Sequence, residues 1–192
     1  EGVPVEVRQP RNMWADGAED IDPETGYATI RSNAQNRYVP NFSYGKGKIV
    51  WNFESVNMPA GTDGFLYLNG DTWHWNGAAN GAGWIQIRIY PQDSTTKSSF
   101  KLHYDWTAEE FTLEESMNDI KTIELDTKVD PEDATKVNVT FSINGKVYYS
   151  GKKHNAFDLD GHKGVIFYSG FSGPFSPECT IVFKSLDYEV YE

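Results

Sequence analysis

Hydrophobic and polar residues alternate almost without interruption along residues 83–90. Isoleucine occupies every second position, at 85, 87 and 89, and successive side chains of a strand face opposite sides of a sheet. This pattern predicts a strand with one apolar face over residues 84–90. The opposite face carries an indole, an amide, a guanidinium and a phenol, which belong to Trp84, Gln86, Arg88 and Tyr90.

Similar short runs of alternating or apolar residues follow one another along the chain, separated by Gly, Pro, Asn and Asp. This arrangement is typical of an all-β sandwich or barrel. The dipeptide Asn144-Gly145 indicates a tight hairpin, because both central residues of a type I′ turn need positive φ. The predicted strands are residues 3–7, 27–33, 48–56, 64–68, 84–90, 100–106, 122–126, 136–143, 146–150, 164–168 and 180–191.

Residues 107–117 fit two interpretations. Thr107 and Glu110 have the spacing of a capping box at the start of a helix. Phe111 and Leu113, however, alternate as they would in a strand. The sequence pattern is compatible with both.

The length and composition limit the size of the core and the kinds of partner that the protein can have. With 192 residues, of which 39% are hydrophobic, the chain can bury one sizeable core, and we predict a single domain over residues 1–192. The net charge of -11 argues against nucleic acid and anionic membranes as partners. The lone Cys179 excludes an internal disulfide and a cysteine-based metal cluster. No signal peptide or transmembrane run is visible; we predict no membrane insertion, and we expect a secreted or cell-surface location.

The strand at residues 84–90 has a natural partner in residues 100–106. A simple antiparallel register sets three pairs opposite each other, namely Arg88 with Lys101, Gln86 with His103, and Trp84 with Asp105. The resulting face suits a sugar, because the C–H groups of the ring stack on aromatic side chains while polar side chains bind the hydroxyls. The opposed cations repel each other, which indicates either an anionic group on the ligand or a register that differs by one residue. The alternative is a solvated sheet face without a ligand.

The loop before this strand, residues 71–83, is rich in glycine, asparagine and tryptophan. Loops held by a rigid sheet often carry function. Trp73 and Trp75 therefore have two interpretations: they stack on sugar at the rim of a groove, or they cap the end of the sandwich.

Several segments together resemble the concanavalin A-like sandwiches of the laminarinase and lichenase type of glycoside hydrolase. Residues 42–46, 48–59 and 64–68 are similar to that family's tyrosine-glycine entry into a long strand and to the strand after it. Residues 136–145 are similar to its strand that ends in an Asp-Gly or Asn-Gly turn, and residues 186–191 to its closing strand. The resemblance implies a jelly-roll β-sandwich of two curved antiparallel sheets.

The chain departs from that family at its catalytic strand. The family carries Glu-x-Asp-x-Glu there, because retaining hydrolysis needs two carboxyls about 5 Å apart. The matching positions here are Trp84, Gln86 and Arg88, and none of them is a carboxylate. The other acidic run, residues 20–24, contains Pro23 and has the composition of a turn. The sequence therefore argues against retaining glycoside hydrolysis.

A weaker resemblance links the chain to the alginate-lyase type of sandwich. Those enzymes place Gln, His, Arg and Tyr on the concave sheet, where these residues neutralise a uronate carboxylate and remove its C5 proton. The resemblance implies that Gln86, Arg88, His103 and Tyr90 would be the catalytic set of a lyase. Arg31 would be a further member, and Tyr168 is the alternative to Tyr90 as the proton donor. A histidine has a pKa suited to such proton abstraction.

The hydrolase-like sandwiches also often hold a structural calcium ion through an aspartate of the closing strand. Asp187 stands at the matching position, so the resemblance implies that Asp187 is a Ca2+ ligand. The alternative is that Asp187 faces solvent.

Together these observations predict non-catalytic polysaccharide binding in a groove on the concave sheet, as a lectin or as a carbohydrate-binding module of a larger multidomain carbohydrate-active protein. A polysaccharide lyase acting on a uronate-containing glycan is the first alternative, and a structural or adhesive surface domain is the second. The binding residues predicted are Trp84, Gln86, Arg88, Tyr90, Lys101, His103, Asp105, Trp73 and Trp75.

Overall fold

The computed structural model describes residues 4–8, 14–15, 20–31, 35–38, 47–58, 65–71, 85–102, 108–154, 166–172 and 180–191. The strands in these ranges are β1 (Pro4–Arg8), β2 (Trp14–Ala15), β3 (Asp20–Ile21), β4 (Ala28–Arg31), β5 (Gln35–Tyr38), β6 (Gly47–Asn57), β7 (Phe65–Asp71), β8 (Ile85–Ile89), β9 (Ser98–Leu102), β10 (Glu109–Phe111), β11 (Thr122–Val129), β12 (Lys136–Ile143), β13 (Lys146–His154), β14 (Ile166–Ser172) and β15 (Thr180–Tyr191).

The strands form two antiparallel sheets. The eight-stranded sheet has the order β13-β12-β11-β6-β15-β4-β3, with β1 paired to β15. The seven-stranded sheet has the order β10-β9-β8-β7-β14-β5-β2. The predicted all-β architecture of two antiparallel sheets is confirmed, and the strand at residues 84–90 is found as β8, in the interior of the seven-stranded sheet.

The core lies between the two sheets and follows the alternation of the sequence. Ile49, Trp51 and Phe53 of β6 are buried from one side, and Ile87 and Ile89 of β8 are buried from the other. The rings of Phe100 in β9 and Phe141 in β12 stack across the interface, with centroids 5.3 Å apart. Each such side chain contributes about 1.5–3 kcal/mol on burial, so the core is the main force that holds the sheets together.

The hairpin predicted at Asn144-Gly145 is confirmed. Asn144 has φ of 50° and Gly145 has φ of 80°, and Ile143 pairs directly with Lys146. These are the left-handed conformations that a type I′ turn needs.

Residues 109–111 are the strand β10, so the helical interpretation of this segment is wrong. The strand is favoured because Phe111 is buried, with its ring 5.5 Å from that of Phe141 and 5.2 Å from that of Tyr148. The helical element that follows is a single 3-10 turn, Met117–Asp119, capped by the Ser116 hydroxyl. Within the described ranges there is no helix long and apolar enough to cross a membrane.

The register predicted for β8 and β9 is wrong by two residues. Gln86 lies opposite Lys101, and Arg88 lies opposite Ser99. The ladder between the strands runs from Ile85 opposite Leu102 to Arg88 opposite Ser99, and the Tyr90 N–H donates to the Ser98 hydroxyl over 2.9 Å just beyond it. A shift of two residues keeps every residue on its predicted face, but it separates Arg88 from Lys101. Arg88 and Lys101 are diagonal rather than directly opposed neighbours, so the argument for an anionic ligand from directly opposed cations does not hold.

Asp130 holds the connection between β11 and β12. Its carboxylate accepts the N–H of Glu132 at 3.0 Å and lies 2.5 Å from the Lys152 ammonium. These contacts, the Lys152 hydrogen bond first and the Glu132 N–H second, hold the pKa of Asp130 below its usual value.

We expect this carboxylate to make the stability of the protein sensitive to acid. Its pKa in the folded state is lower than in the unfolded state, so its stabilisation is complete above about pH 4 and is lost as the pH falls through the folded value. Asp130→Asn should therefore lower the free energy of unfolding at neutral pH and have less effect in acid. Urea unfolding across this pH range measures the difference, with the exposed Asp93→Asn as the control. A cost of Asp130→Asn that does not change with pH would contradict the assignment.

Candidate functional site

The seven-stranded sheet brings polar and aromatic positions from distant parts of the chain into two rows across its strands. Residues directly opposite each other in an antiparallel pair lie on the same face, and neighbouring strands are about 4.8 Å apart. The first row runs through Lys101, Gln86, Asn69, Tyr168 and Arg37, on β9, β8, β7, β14 and β5.

The second row lies beside the first on the same face. It runs from β10 to β5 through Glu110, Ser99, Arg88, Tyr67, Gly170 and Gln35. We call the surface formed by these two rows and by Phe65 and Tyr90 the β8 face. Its opposite side carries Ile87 and Ile89 and belongs to the core.

An aromatic pair and a cation lie together on the β8 face, where Phe65 and Tyr90 border the second row beside Arg88. The rings of Phe65 and Tyr90 lie 4.9 Å apart with an interplanar angle of 31°. The Arg88 guanidinium carbon is 5.5 Å from the centre of the Phe65 ring, within the range of a cation–π contact. Arg88 is exposed, whereas Phe65 and Tyr90 are half-buried. The contact holds the guanidinium at the surface, where it can donate hydrogen bonds in the plane of its fork.

The structure brings together three of the predicted binding residues and places a fourth by its backbone. Arg88 is on β8, Tyr90 directly follows β8, and Lys101 is on β9. The backbone of Gln86 lies opposite Lys101. The predicted residues Trp73, Trp75, Trp84, His103 and Asp105 lie outside the described residues.

The structure places one arginine of the β8 face differently from the sequence prediction. Arg31 belongs to β4 in the eight-stranded sheet, so the prediction that it joins the same site is wrong. Arg37 of β5 occupies the row of Gln86 and Tyr168 instead. Sequence reasoning missed Arg37 because the four residues of β5, Gln-Asn-Arg-Tyr, show no alternation of apolar and polar residues. Nothing in that pattern distinguishes β5 from a loop.

The acidic run at residues 20–24 forms the end of β3 and the turn that follows. The Asp22 carboxylate accepts the N–H groups of Glu24 at 2.8 Å and Thr25 at 3.3 Å, and these bonds lower its pKa. Gly26 completes the turn with φ of 70°. The predicted turn is confirmed, and it belongs to the eight-stranded sheet rather than to the β8 face.

Asp187, the predicted calcium ligand, is on β15 and shares its face with Asn52 of β6. The Asn52 amide donates to the Asp187 carboxylate at 3.1 Å and to the Ser185 hydroxyl at 3.2 Å. Ca2+ takes six to eight oxygen ligands, usually with several carboxylates, and no group of three His, Cys, Asp or Glu is found among the described residues. The described side chains alone therefore do not fit a calcium ion, and Ca2+ binding by Asp187 stays a prediction.

No protein-family model matches the chain. No curated protein matches its sequence.

Solved structures match the fold over nearly the whole chain. The catalytic domain of an endo-1,3-beta-glucanase (laminarinase) from Thermotoga petrophila RKU-1 has a TM-score of 0.58 at 12% identity, with 100% of each chain covered. A Lotus tetragonolobus seed lectin has a TM-score of 0.59 at 10% identity, with 99% of each chain covered. A Crh5 transglycosylase in complex with NAG has a TM-score of 0.59 at 13% identity, covering 96% of this chain and 83% of its own.

These similarities define the class of fold. The chain is a concanavalin A-like jelly-roll β-sandwich, as the sequence resemblance implied. At such identities the comparison establishes the fold, and the function has to be argued from the site.

Proposed function

We propose that the protein binds a polysaccharide non-catalytically through the β8 face. The observation that carries the proposal is the pair of rows across the seven-stranded sheet, in which amide, hydroxyl, cationic and aromatic positions alternate with the buried core positions. A glycan chain lying across the strands would meet a hydrogen-bonding position at each strand. The Phe65–Tyr90 pair, 4.9 Å apart, would offer an aromatic surface beside the second row, at β7 and β8.

The absence of a carboxylate from the three positions that match the catalytic strand of the laminarinase-type hydrolases supports a role in binding. Positions 84, 86 and 88 are Trp, Gln and Arg. Glu110 lies in the same row as Arg88, but β9 separates their strands, which puts their backbones about 10 Å apart. Retaining hydrolysis uses two carboxyls about 5–5.5 Å apart, so Glu110 has no matching partner on β8.

We further propose that the protein acts at the cell surface or outside the cell, as a module of a larger carbohydrate-active protein. A lectin and a glucanase share the fold, and binding of a polysaccharide suits such a location.

Arg88→Ala tests the β8 face directly. Loss of an exposed, charge-assisted hydrogen-bond donor should weaken glycan binding about tenfold without changing thermal stability. The measurement is a glycan array followed by affinity electrophoresis on the polysaccharide that binds. Lys128→Ala, an exposed cation on β11 of the opposite sheet, is the matched control. Equal retardation of the wild type, Arg88→Ala and Trp84→Ala would refute the proposal.

A polysaccharide lyase is the second candidate, because one row brings Gln86, Tyr168 and Arg37 together. A lyase releases an unsaturated uronate that absorbs in the ultraviolet. Incubation with uronate-containing polysaccharides should give no such signal from a binding module. An absorbance increase that Gln86→Ala abolishes would replace binding with β-elimination as the function.

A further inference from the structure

The outer surface of the eight-stranded sheet contains a polar cleft of about 440 Å³. Its floor consists of Asn52, Ser185 and Asp187, which the hydrogen bonds of the Asn52 amide hold together at 3.1 and 3.2 Å. Lys121, Lys184 and Glu54 line its sides. Pockets for small molecules usually measure about 300–1,000 Å³, so the cleft has the size of a ligand site. It lies on the sheet opposite to the β8 face.

An irregularity in the pairing of β6 and β15 lies beside this cleft. Val182 pairs with Ser55, Phe183 with Phe53, and Ser185 with Asn52. Glu54 and Lys184 are therefore left out of the ladder, one on each strand. Such bulges bend a strand and re-aim side chains, and they occur often beside binding sites. Here the two unpaired residues form an ion pair at 3.7 Å on the side of the cleft.

The charges that line the cleft balance each other. Two cations, Lys121 and Lys184, face two anions, Glu54 and Asp187, so the formal sum is zero. The Lys121 ammonium also donates to the Glu54 carbonyl oxygen over 2.6 Å. A charged ligand would compete with the Lys184–Glu54 ion pair and would leave the cleft with a net charge. A neutral ligand with many hydroxyls fits better, since it can donate to Asp187 and accept from the lysines.

An aromatic ring completes the lining. Tyr27, just before β4, is half-buried at the cleft, and the Lys184 ammonium lies 6.0 Å from its ring centre. An aromatic ring next to an amide, a hydroxyl and a carboxylate matches both parts of a sugar, its apolar C–H groups and its hydroxyls.

We propose that this cleft is a second binding site, specific for a neutral sugar. It works independently of the β8 face, because the two surfaces lie on opposite sheets with the core between them. A protein with both sites would hold two glycan segments at once, one on each side of the sandwich. Engagement of both on one polysaccharide would raise the apparent affinity above that of either site.

The experiment is an amide NMR titration of the full chain with glucose, mannose, galactose and N-acetylglucosamine, each in turn. At least one sugar should produce saturable shifts of the amides of residues 52–54, 121–122 and 184–187, whether or not it also shifts amides of the β8 face. Asn52→Leu should weaken that binding about tenfold, because it removes the amide that organises the floor. Asn138→Leu, the same exchange on the exposed side of β12, should bind like the wild type, and so should Arg88→Ala.

Ser185→Val supplies a second variant that removes a hydroxyl from the cleft, in case Asn52→Leu does not fold. The proposal is wrong if none of the four sugars shifts these amides, or if the folded cleft variants bind like the wild type. It is also wrong if calcium chloride alone saturates the same amides and the sugars do not. Loss of this binding in Arg88→Ala would show that the cleft is not an independent site.

Discussion

Replacing Asn144 with alanine is expected to lower the free energy of unfolding by about 3 kcal/mol. The Asn144 side chain joins the β12–β13 hairpin to the segment before β11. Its oxygen accepts the N–H groups of Lys121 at 2.7 Å and Thr122 at 3.0 Å. Its nitrogen donates to the Glu115 carboxylate at 2.7 Å and to the Asp119 carbonyl oxygen at 2.8 Å.

The backbone of Asn144 adds to this cost. Its φ of 50° lies in the left-handed region, which asparagine tolerates and alanine disfavours by about 1 kcal/mol. The four side-chain bonds are exposed, so we expect only about 2 kcal/mol from them together. Asn144→Gly separates the two contributions, because glycine accepts positive φ but has no side chain. It should cost about 2 kcal/mol, less than Asn144→Ala.

Urea unfolding followed by tryptophan fluorescence measures both variants. The control is Gln92→Ala, which removes an exposed amide from the loop between β8 and β9 and should change stability little. Equal stability of Asn144→Gly and the wild type would show that the side-chain bonds contribute nothing. Equal cost of the glycine and alanine variants would show that the backbone conformation carries no strain.

Glu109→Ala is expected to destabilise the protein by about 2 kcal/mol, because it removes a carboxylate that pairs with a buried ammonium. Lys153 is on β13, the edge of the eight-stranded sheet, and its side chain is 3% exposed. Glu109 is on β10, the edge of the seven-stranded sheet, and is 39% exposed. Their charged atoms are 2.8 Å apart. The pair therefore joins the two sheets at one side of the sandwich.

The two partners should respond unequally to mutation. Lys153→Met replaces the ammonium with an apolar group of similar length and leaves Glu109 partly solvated, so we expect a change of less than about 1 kcal/mol. Glu109→Ala leaves the ammonium buried without this carboxylate. Adding Lys153→Met to Glu109→Ala should restore most of the lost stability.

A double-mutant cycle, measured by thermal and urea unfolding, compares these variants. Glu110→Ala is the matched control, since Glu110 is the exposed neighbour on the same strand. A larger cost for Lys153→Met than for Glu109→Ala would show that the ammonium stabilises the fold beyond its pairing with Glu109. A Glu109→Ala variant as stable as the wild type would mean that the pair does not hold the sheet edges together.

The inward charge on β13 also matches a feature by which edge strands avoid pairing with other chains. An edge strand exposes unpaired N–H and C=O groups to other chains, and an inward-pointing charged residue opposes such pairing. Lys153 occupies an inward position opposite Val137. A hydrophobic residue at this inward position of the edge strand would make association with another copy easier than the charged Lys153 does.

Local pattern was enough to predict much of the fold. The period of two along β8 predicted that Ile87 and Ile89 are buried, as they are, because the alternation of a strand depends only on the chain itself. The turn at Asn144-Gly145 was predictable because few residues adopt positive φ. The bounds of β12 and β15 agree with the predicted strands 136–143 and 180–191.

The sequence pattern could not predict which distant strands contact each other. The register of β8 with β9 places Gln86 opposite Lys101, which the sequence pattern alone does not specify. β5 is a strand because β14 and β2 pair with it. The same holds for the cleft, whose lining comes from residues near 27, 52, 121 and 185.

The alternation of residues along β8 was thus enough to predict its polar face and the types of side chain on that face. The tertiary structure decided which strands lie beside it, and so placed Tyr168 and Arg37 in the row of Gln86. The physical reason is that alternation is a property of neighbouring residues, whereas pairing depends on loop geometry, bulges and the packing of two sheets.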